Sequence, residues 1–340
     1  MIALAVFARG RLDARQSGAD EPVAATIVCA TEVGPVCDNL RKQHPDLTVR
    51  VEDAGVTRAA LADPSFRALE AGIDAWVVLQ PYPAMVGVDR QQDGVDPVLD
   101  DPSPTLARSP LVVAIWLEKE QLLQAGPCPD LSYVWKCLGD VGGTRWDTIG
   151  GTSSSGTVKV GLAPAERVAT GLLGLAQGTA EQLGRTDYSR ADLEDGAYRS
   201  WLTQLEGGVP DFNPSTGSAL GQMLFQGPSS FDAAGSIEAL AGPAVAASTR
   251  YKDDLDILYP SPDATADVVV APVRGSAHGG RVSQLLQDDP ARAAFARRGW
   301  RVDGQPLAAG IRDVPLPPTS GLPDGGVFVA LGEVWSEVHR

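Results

Sequence analysis

The sequence predicts an α/β protein of two lobes joined by two crossing strands, with a cleft between the lobes. Three observations carry this reading. The 340-residue chain exceeds the size at which a single hydrophobic core stops growing. Its first segments alternate strand-like and helix-like patterns in the order β-α-β-α-β, which implies parallel strands with helical crossovers. Two buried apolar runs stand far apart in the chain: Leu111–Trp116, which follows a polar lead-in within Thr105–Trp116 (TLARSPLVVAIW), and Ala266–Val273 (ADVVVAPV). Each is rich in β-branched residues and too short for a buried helix, as expected of strands covered on both faces. The chain leaves one lobe through the first run and returns just before the second. The residues between them form the second lobe.

The first lobe starts with a strand over Ala24–Thr31, a helix over Gly34–His44 and a strand over Leu47–Glu52. A helix over Arg58–Ala71 and a strand over Asp74–Leu79 follow, closed by Gln80-Pro81-Tyr82-Pro83. Gly87–Ser103, rich in Asp and Pro, is expected to be loop. Beyond Trp116, helices are expected over Glu118–Ala125, Ala165–Leu183, Asp187–Leu205, Ser218–Phe225 and Glu238–Thr249. Strands are expected over Thr157–Leu162, Phe231–Ile237 and Leu255–Tyr259, the last leading to Pro260 and Pro262 where the chain crosses back. One or two helices fill Arg281–Arg298, Ile311–Gly326 is a linker, and Val327–Val338 is a closing helix. The lobes are therefore expected as 22–114 with 264–340, and 115–263.

Net charge is −15 with a pI near 4.6, which leaves little basic surface to neutralise phosphates. Nucleic acid and anionic membrane surfaces are disfavoured as partners. The cysteines, Cys29, Cys37, Cys128 and Cys137, fall in two close pairs without zinc-finger spacing, and the chain has 3 histidines. Close pairing predicts two local disulfides and an oxidising compartment, with buried thiols as the alternative. Met1–Ala8 is apolar and followed by Arg9, Arg11 and Arg15. That order is wrong for a signal peptide, whose positive charges come first, and the run is short of the ~20 residues that span a bilayer. Residues 1–21 are expected to be a flexible tether, the end of a truncated anchor, or a frayed start.

Several motifs that would signal catalysis are missing. There is no Gly-x-Ser-x-Gly elbow and no Gly-x-Gly-x-x-Gly after the first strand. Gly151-Thr-Ser-Ser-Ser-Gly156 lacks the Gly-Lys-Ser/Thr ending of a P-loop and precedes a strand, so it is expected to be a flexible loop. His44 precedes Pro45 at a helix end, where it meets the dipole. No metal or cofactor is expected.

Cys29-Ala-Thr-Glu-Val-Gly-Pro-Val36, Ala107-Arg-Ser-Pro-Leu-Val112, Gly156-Thr-Val-Lys-Val-Gly161 and Phe231-Asp-Ala-Ala-Gly-Ser-Ile-Glu238 occur in this order, with Tyr259-Pro260 after them. Together they resemble type 2 periplasmic solute-binding proteins. The Cys128…Trp135-Lys-Cys137-Leu segment and Arg298-Gly-Trp-Arg301 are similar to actinobacterial solute-binding domains found beside von Willebrand factor type A domains. The resemblance implies an extracytoplasmic, secreted or membrane-anchored protein that closes on a small ligand. Its implied partners are a membrane transporter of the ABC type or an adjoining type A domain. In the family, ligand contacts come from strand ends and helix N-termini, where free N–H groups and the dipole favour anions. Carried onto this chain, the positions are Thr31, Glu32, Gln80, Tyr82, Ser109, Ser236, Glu238 and Tyr259. Glu32 and Glu238 fit an anion badly and suit a cationic or hydroxyl-rich ligand, or a cleft that no longer binds a solute. Other roles stay open at these positions. Thr31 can be an N-cap with Glu32 in the first turn, Tyr82 a packing residue between prolines, and Glu238 a favourable charge on its own helix. A cell-surface interaction module with a vestigial cleft is the main alternative function. An enzyme on the same scaffold is a further one.

Overall fold

The computed structural model describes residues 24–152, 156–210 and 218–339. The expectations for the N-terminal tether and for the serines of the glycine-flanked loop lie outside the described residues. The first lobe begins with β1 (Ala25–Ala30), α1 (Gly34–Gln43), β2 (Leu47–Glu52), α2 (Ala54–Ala62), β3 (Ala75–Leu79) and α3 (Tyr82–Gln92). The chain leaves through β4 (Ala107–Trp116). The second lobe contains α4 (Leu117–Ala125), α5 (Val134–Val141), β5 (Val160–Gly161), α6 (Ala169–Leu183), α7 (Arg190–Leu193), α8 (Gly196–Gly207), α9 (Ala219–Gln226), β6 (Ala233–Ile237), α10 (Glu238–Ala247) and β7 (Leu255–Leu258). After the return strand β8 (Thr265–Pro272) come α11 (Gly279–Gln287), α12 (Asp289–Arg297) and α13 (Gly325–Val338).

The sheet order is β2-β1-β3-β8-β4-β6-β5, with β7 also paired to β4. β1 runs parallel to β2 and β3, and β8 runs antiparallel to β3. β4 changes partners along its length. Ala107–Pro110 pair with Thr265–Val268 of β8, whereas Leu111–Ile115 pair with β6 and Val113–Trp116 with β7. One continuous strand thus belongs to both lobes. Pro110 stands where the ladder changes partners, a place that tolerates a residue with no N–H to donate. The flanking residues are buried on both faces, which accounts for the unbroken apolar run.

Four elements depart most from the sequence expectation. α2 starts at Ala54 and ends at Ala62, because Asp63 precedes Pro64 and the residue before proline avoids the helical region. The segment expected as loop after Gly87 continues α3 as far as Gln92. Pro83 lies in the first turn of that helix, where no N–H is needed, so it starts the helix instead of breaking it. The expected Asp187–Leu205 helix is two, interrupted where the Asp195 carboxylate caps α8 by accepting from Ala197 N at 2.8 Å. Only Val160 and Gly161 of the expected Thr157–Leu162 strand join the sheet. Helix α5 was not anticipated in the Gly126–Asp140 segment. It carries Trp135, which is buried under α6 and β6.

Cys29 is bonded to Cys37 and Cys128 to Cys137, with Cα separations of 6.7 and 5.8 Å. The first disulfide ties β1 to α1, and the second ties the segment after α4 to α5. Among the described residues no helix is long and apolar enough to cross a membrane.

Candidate functional site

The C-terminal ends of the parallel strands in the first lobe face the turn at 164–168 and the start of α6 in the second. Three contacts close this seam. Gly55 N donates to Arg167 O at 2.8 Å. Arg167 Nη2 donates to Asp53 Oδ2 at 3.0 Å. Thr170 N, in the first turn of α6, donates to Glu32 Oε1 at 3.0 Å. The approach at Gly55 is close enough that a Cβ there would overlap the Glu166 carbonyl oxygen and lie 2.9 Å from Arg167 Cα.

Glu32 is buried, and burial raises its carboxyl pKa; hydrogen bonds from backbone N–H groups, including that of Thr170, oppose the rise. Thr31 is exposed, and its hydroxyl reaches only Glu32 Oε2 at 3.4 Å. It does not cap α1. A 3₁₀ turn over Thr31–Val33 intervenes, so the hydroxyl sits too early in the chain to reach the helix amides. Tyr82, at the start of α3, is 1 % exposed and meets Trp76 edge to face at 6.1 Å. Its packing role is therefore real, yet its hydroxyl is buried without a partner. Burial, then the nearby Glu32 charge, push the phenol well above its ordinary pKa. Gln80 is half-buried and its N–H donates to Asp267 O at 2.8 Å, fixing the β3 end to β8.

The other four candidates cluster at the hinge: Ser109 on the crossing strand β4, Ser236 on β6, Glu238 at the start of α10 and Tyr259 just after β7. Ser109 is fully buried, and its Oγ accepts from Ala239 N at 2.9 Å, satisfying a free amide of α10. Glu238, the first residue of α10, is fully buried and accepts from Arg301 Nε at 2.8 Å and Arg301 Nη2 at 2.9 Å. The Tyr259 hydroxyl and Arg312 N also donate to Glu238, the latter at 3.0 Å. Burial and the bond to Glu238 raise the Tyr259 pKa. Ser236 lies opposite Val112 in the ladder, and its hydroxyl reaches only Ile237 O, at 3.4 Å. Two arginines on paired backbone segments hold the 311–319 strap against this hinge. Arg301 donates to the carbonyls of Arg312 and Val314, and Arg108 to those of Pro317 and Thr319.

The candidates thus form two groups. Glu32, Thr31, Gln80 and Tyr82 belong to the first-lobe side of the cleft, and Ser109, Ser236, Glu238 and Tyr259 to the hinge. Sequence reasoning missed Asp53, Gly55, Arg167 and Thr170, which complete the seam, Arg301, which neutralises Glu238, and Arg312, whose backbone N–H donates to it. Nothing local marks these residues, because each acts through a contact far away in the chain.

The last helix touches both lobes. Gly325 of α13 packs on Ala84 of α3, while Trp335 Nε1 donates to Glu206 Oε1 of α8 at 2.7 Å. Arg190 and Arg199 of the second lobe pair with Glu333 and Glu337, each at 2.9 Å. A cavity of about 410 Å³ remains where α2, α3, the start of α6 and α13 meet. Among the described residues no group of three or more His, Cys, Asp or Glu side chains could hold a metal ion.

No protein-family model matches the chain, and no curated protein matches it in sequence. Solved structures match its fold. Iron-bound HitA from Pseudomonas aeruginosa superposes with a TM-score of 0.57 at 12% identity, covering 93% of this chain and 98% of that one. The periplasmic binding protein AfuA from Actinobacillus pleuropneumoniae, with fructose-6-phosphate bound, gives 0.57 at 11% identity over 92% and 97% of the two chains. The sulfate-binding protein SubI from Mycobacterium tuberculosis H37Rv gives 0.50 at 14% identity over 82% and 87%. The likeness establishes a two-lobed periplasmic-binding-protein fold, as the order of strands across the hinge predicts.

Proposed function

We propose that the chain is a non-enzymatic, extracytoplasmic solute-binding domain that takes a small ligand between its lobes and moves about the crossing strands β4 and β8. The observation that carries this reading is the single strand β4 shared by two sheets, which sets strand ends of one lobe opposite a helix N-terminus of the other. Such a cleft is where α/β folds collect ligands. The reading uses lobes of 22–114 with 264–340, and 115–263. It assigns ligand contacts to Thr31, Glu32, Gln80 and Tyr82, with Ser109, Ser236, Glu238 and Tyr259 at the hinge. Support comes from structural neighbours that are an iron-bound, a sulfate-binding and a fructose-6-phosphate-bound protein. Two disulfides fit an oxidising compartment. A partner that is either an ABC-type transporter or an adjoining von Willebrand factor type A domain, with the chain secreted or attached to the outer face of the membrane, completes the proposal.

A second reading keeps the fold but makes it a cell-surface interaction module. It is favoured by the seam itself, where Glu32, Asp53 and Gly55 meet the second lobe directly. Native mass spectrometry of the purified chain, intact and then denatured, separates the two. A discrete mass lost on denaturation is expected for a solute-binding domain and identifies the solute. A bare chain that also fails to gain mass or thermal stability across a library of small solutes sinks the first reading in favour of the second.

A further inference from the structure

Helix α6 has 15 residues and its N-cap, Val168, offers no side-chain cap. The first-turn amide of Thr170 is instead satisfied from the other lobe, by a carboxylate 138 positions away in sequence. That carboxylate belongs to Glu32, which is buried and forms no ion pair among the described residues. The comparable helix start in the same lobe is built differently. At α10 the amide of Ala239 is taken by Ser109, and the buried Glu238 is neutralised by Arg301. Of these two helix starts it is that of α6 that holds an unpaired carboxylate, supplied by the other lobe, in the way helix N-termini hold free anions. A second feature lies on the first-lobe side of the same seam. The Tyr82 hydroxyl, 1 % exposed and within electrostatic reach of Glu32, has no protein partner. A buried hydroxyl without a protein partner is a donor available to a ligand oxygen.

We infer that Glu32 is an internal ligand: its carboxylate fills an oxyanion seat at the N-terminus of α6 and holds the lobes together without any solute. The seat itself suits a small oxyanion such as sulfate, phosphate or a carboxylate, and Glu32 keeps it from free anions. The hold is releasable, because burial penalises the charged carboxylate and opening returns it to water. The inference goes beyond the solute-binding reading and does not need it, since it concerns what occupies the seam when no solute is present.

The test uses the full chain and three variants. Glu32→Ala empties the seat, Glu32→Gln keeps an acceptor for Thr170 N, and Thr170→Pro removes the donor while leaving Glu32 in place, at a first-turn position that tolerates proline. Hydrogen exchange at the Gly55 amide reports the seam, small-angle scattering the separation of the lobes, and titration with inorganic sulfate the seat. In Glu32→Ala the Gly55 amide should exchange at least about tenfold faster, as local opening becomes cheaper. The radius of gyration should rise, and sulfate should bind at least about tenfold more tightly than to the wild type, as expected of a freed helix N-terminus. Thr170→Pro should loosen the Gly55 amide similarly without gaining sulfate, and Glu32→Gln should stay protected. The inference is overturned if Gly55 remains as protected as in the wild type in both Glu32→Ala and Thr170→Pro. It is equally overturned if Glu32→Ala binds sulfate no better than the wild type, or if Glu32→Gln opens as far as Glu32→Ala. Failure to find a retained solute in the wild type leaves this result untouched, so the two readings fail separately.

Discussion

Arg301 grips both carboxylate oxygens of Glu238, Nε to Oε2 at 2.8 Å and Nη2 to Oε1 at 2.9 Å, where the glutamate is completely buried. The backbone of Arg301 in turn exchanges two hydrogen bonds with Arg108 of β4, at 2.8 and 2.9 Å. Its remaining donors hold the strap at Arg312 and Val314. Through its side chain and its backbone, Arg301 therefore fixes the start of α10, a crossing strand and the 311–319 strap relative to one another. The planar fork of arginine is what allows three partners at once.

Removing the arginine strands a buried carboxylate. Arg301→Ala should lower unfolding free energy by about 3–5 kcal/mol, the usual loss when one half of a buried ion pair is deleted. Arg301→Lys cannot reproduce the fork and should recover only part of that loss. Urea denaturation followed by tryptophan fluorescence measures both. A midpoint for Arg301→Ala within error of the wild type would show that the pair is not what secures the hinge.

Trp335 is the corresponding fastener for α13. Trp335→Phe keeps the ring buried but deletes the bond to Glu206, and should cost about 1–3 kcal/mol because the acceptor is a partly buried carboxylate. By contrast, Arg199→Ala breaks a largely exposed pair with Glu337 and should cost less than about 1 kcal/mol. Thermal melts of the two variants give the comparison. Equal losses would mean that α13 is held to the second lobe by surface charge and not by the tryptophan anchor.

Glu181 supplies a pH dependence. It lies buried on α6, with Oε2 accepting from Lys136 N at 2.8 Å and Oε1 unpartnered. Burial pushes its carboxyl from the ordinary 4.5 up to about 8. Above the ordinary value the unfolded chain has lost this proton while the folded chain keeps it. Stability contributed by this site is thus full at low pH, falls as pH rises toward about 8, and levels off beyond. The slope is at most about 1.4 kcal/mol per pH unit. Glu181→Gln is neutral at every pH and should flatten this part of the profile, as measured by calorimetry from acid to mildly alkaline buffer. A parallel decline in wild type and variant would assign the effect to other groups.

Much of the fold was legible because its causes are local or periodic. The apolar runs of β4 and β8 declare double-sided burial, and the β-α-β-α-β order leaves parallel pairing as the consistent solution. Proline misled in one place and guided in another. Pro83 lies in the first turn of α3 where it was expected only to close the strand before it, whereas Pro64 ends α2 earlier than the apolar pattern alone suggests. The candidate site was less legible. Glu32 and Glu238 were visible as glutamates after strands, but their roles depend on partners remote in sequence, Thr170 for one and Arg301 for the other. Charge identity in a sequence says nothing of whether a carboxylate will meet a guanidinium or a bare helix end. Gly55 was silent for the same reason, since a close approach between lobes leaves no pattern around it.

Gly55 offers the cleanest way to part the lobes. Its backbone lies in the first turn of α2 with no left-handed strain, so alanine suits the helix itself and should favour it by up to about 1 kcal/mol. The obstacle is entirely across the seam. An added methyl would run into the Glu166 carbonyl and crowd Arg167 Cα, and these backbone atoms cannot swing aside as a flexible side chain could. Gly55→Ala should therefore leave the first lobe folded while breaking the Gly55–Arg167 and Asp53–Arg167 contacts. Expected signs are a larger radius of gyration, faster amide exchange in the first turn of α6, and an unchanged circular dichroism spectrum. If a solute is captured between the lobes, its affinity should drop in the same variant. A Gly55→Ala protein with the scattering profile and exchange of the wild type would mean that the lobes in solution do not meet at this seam.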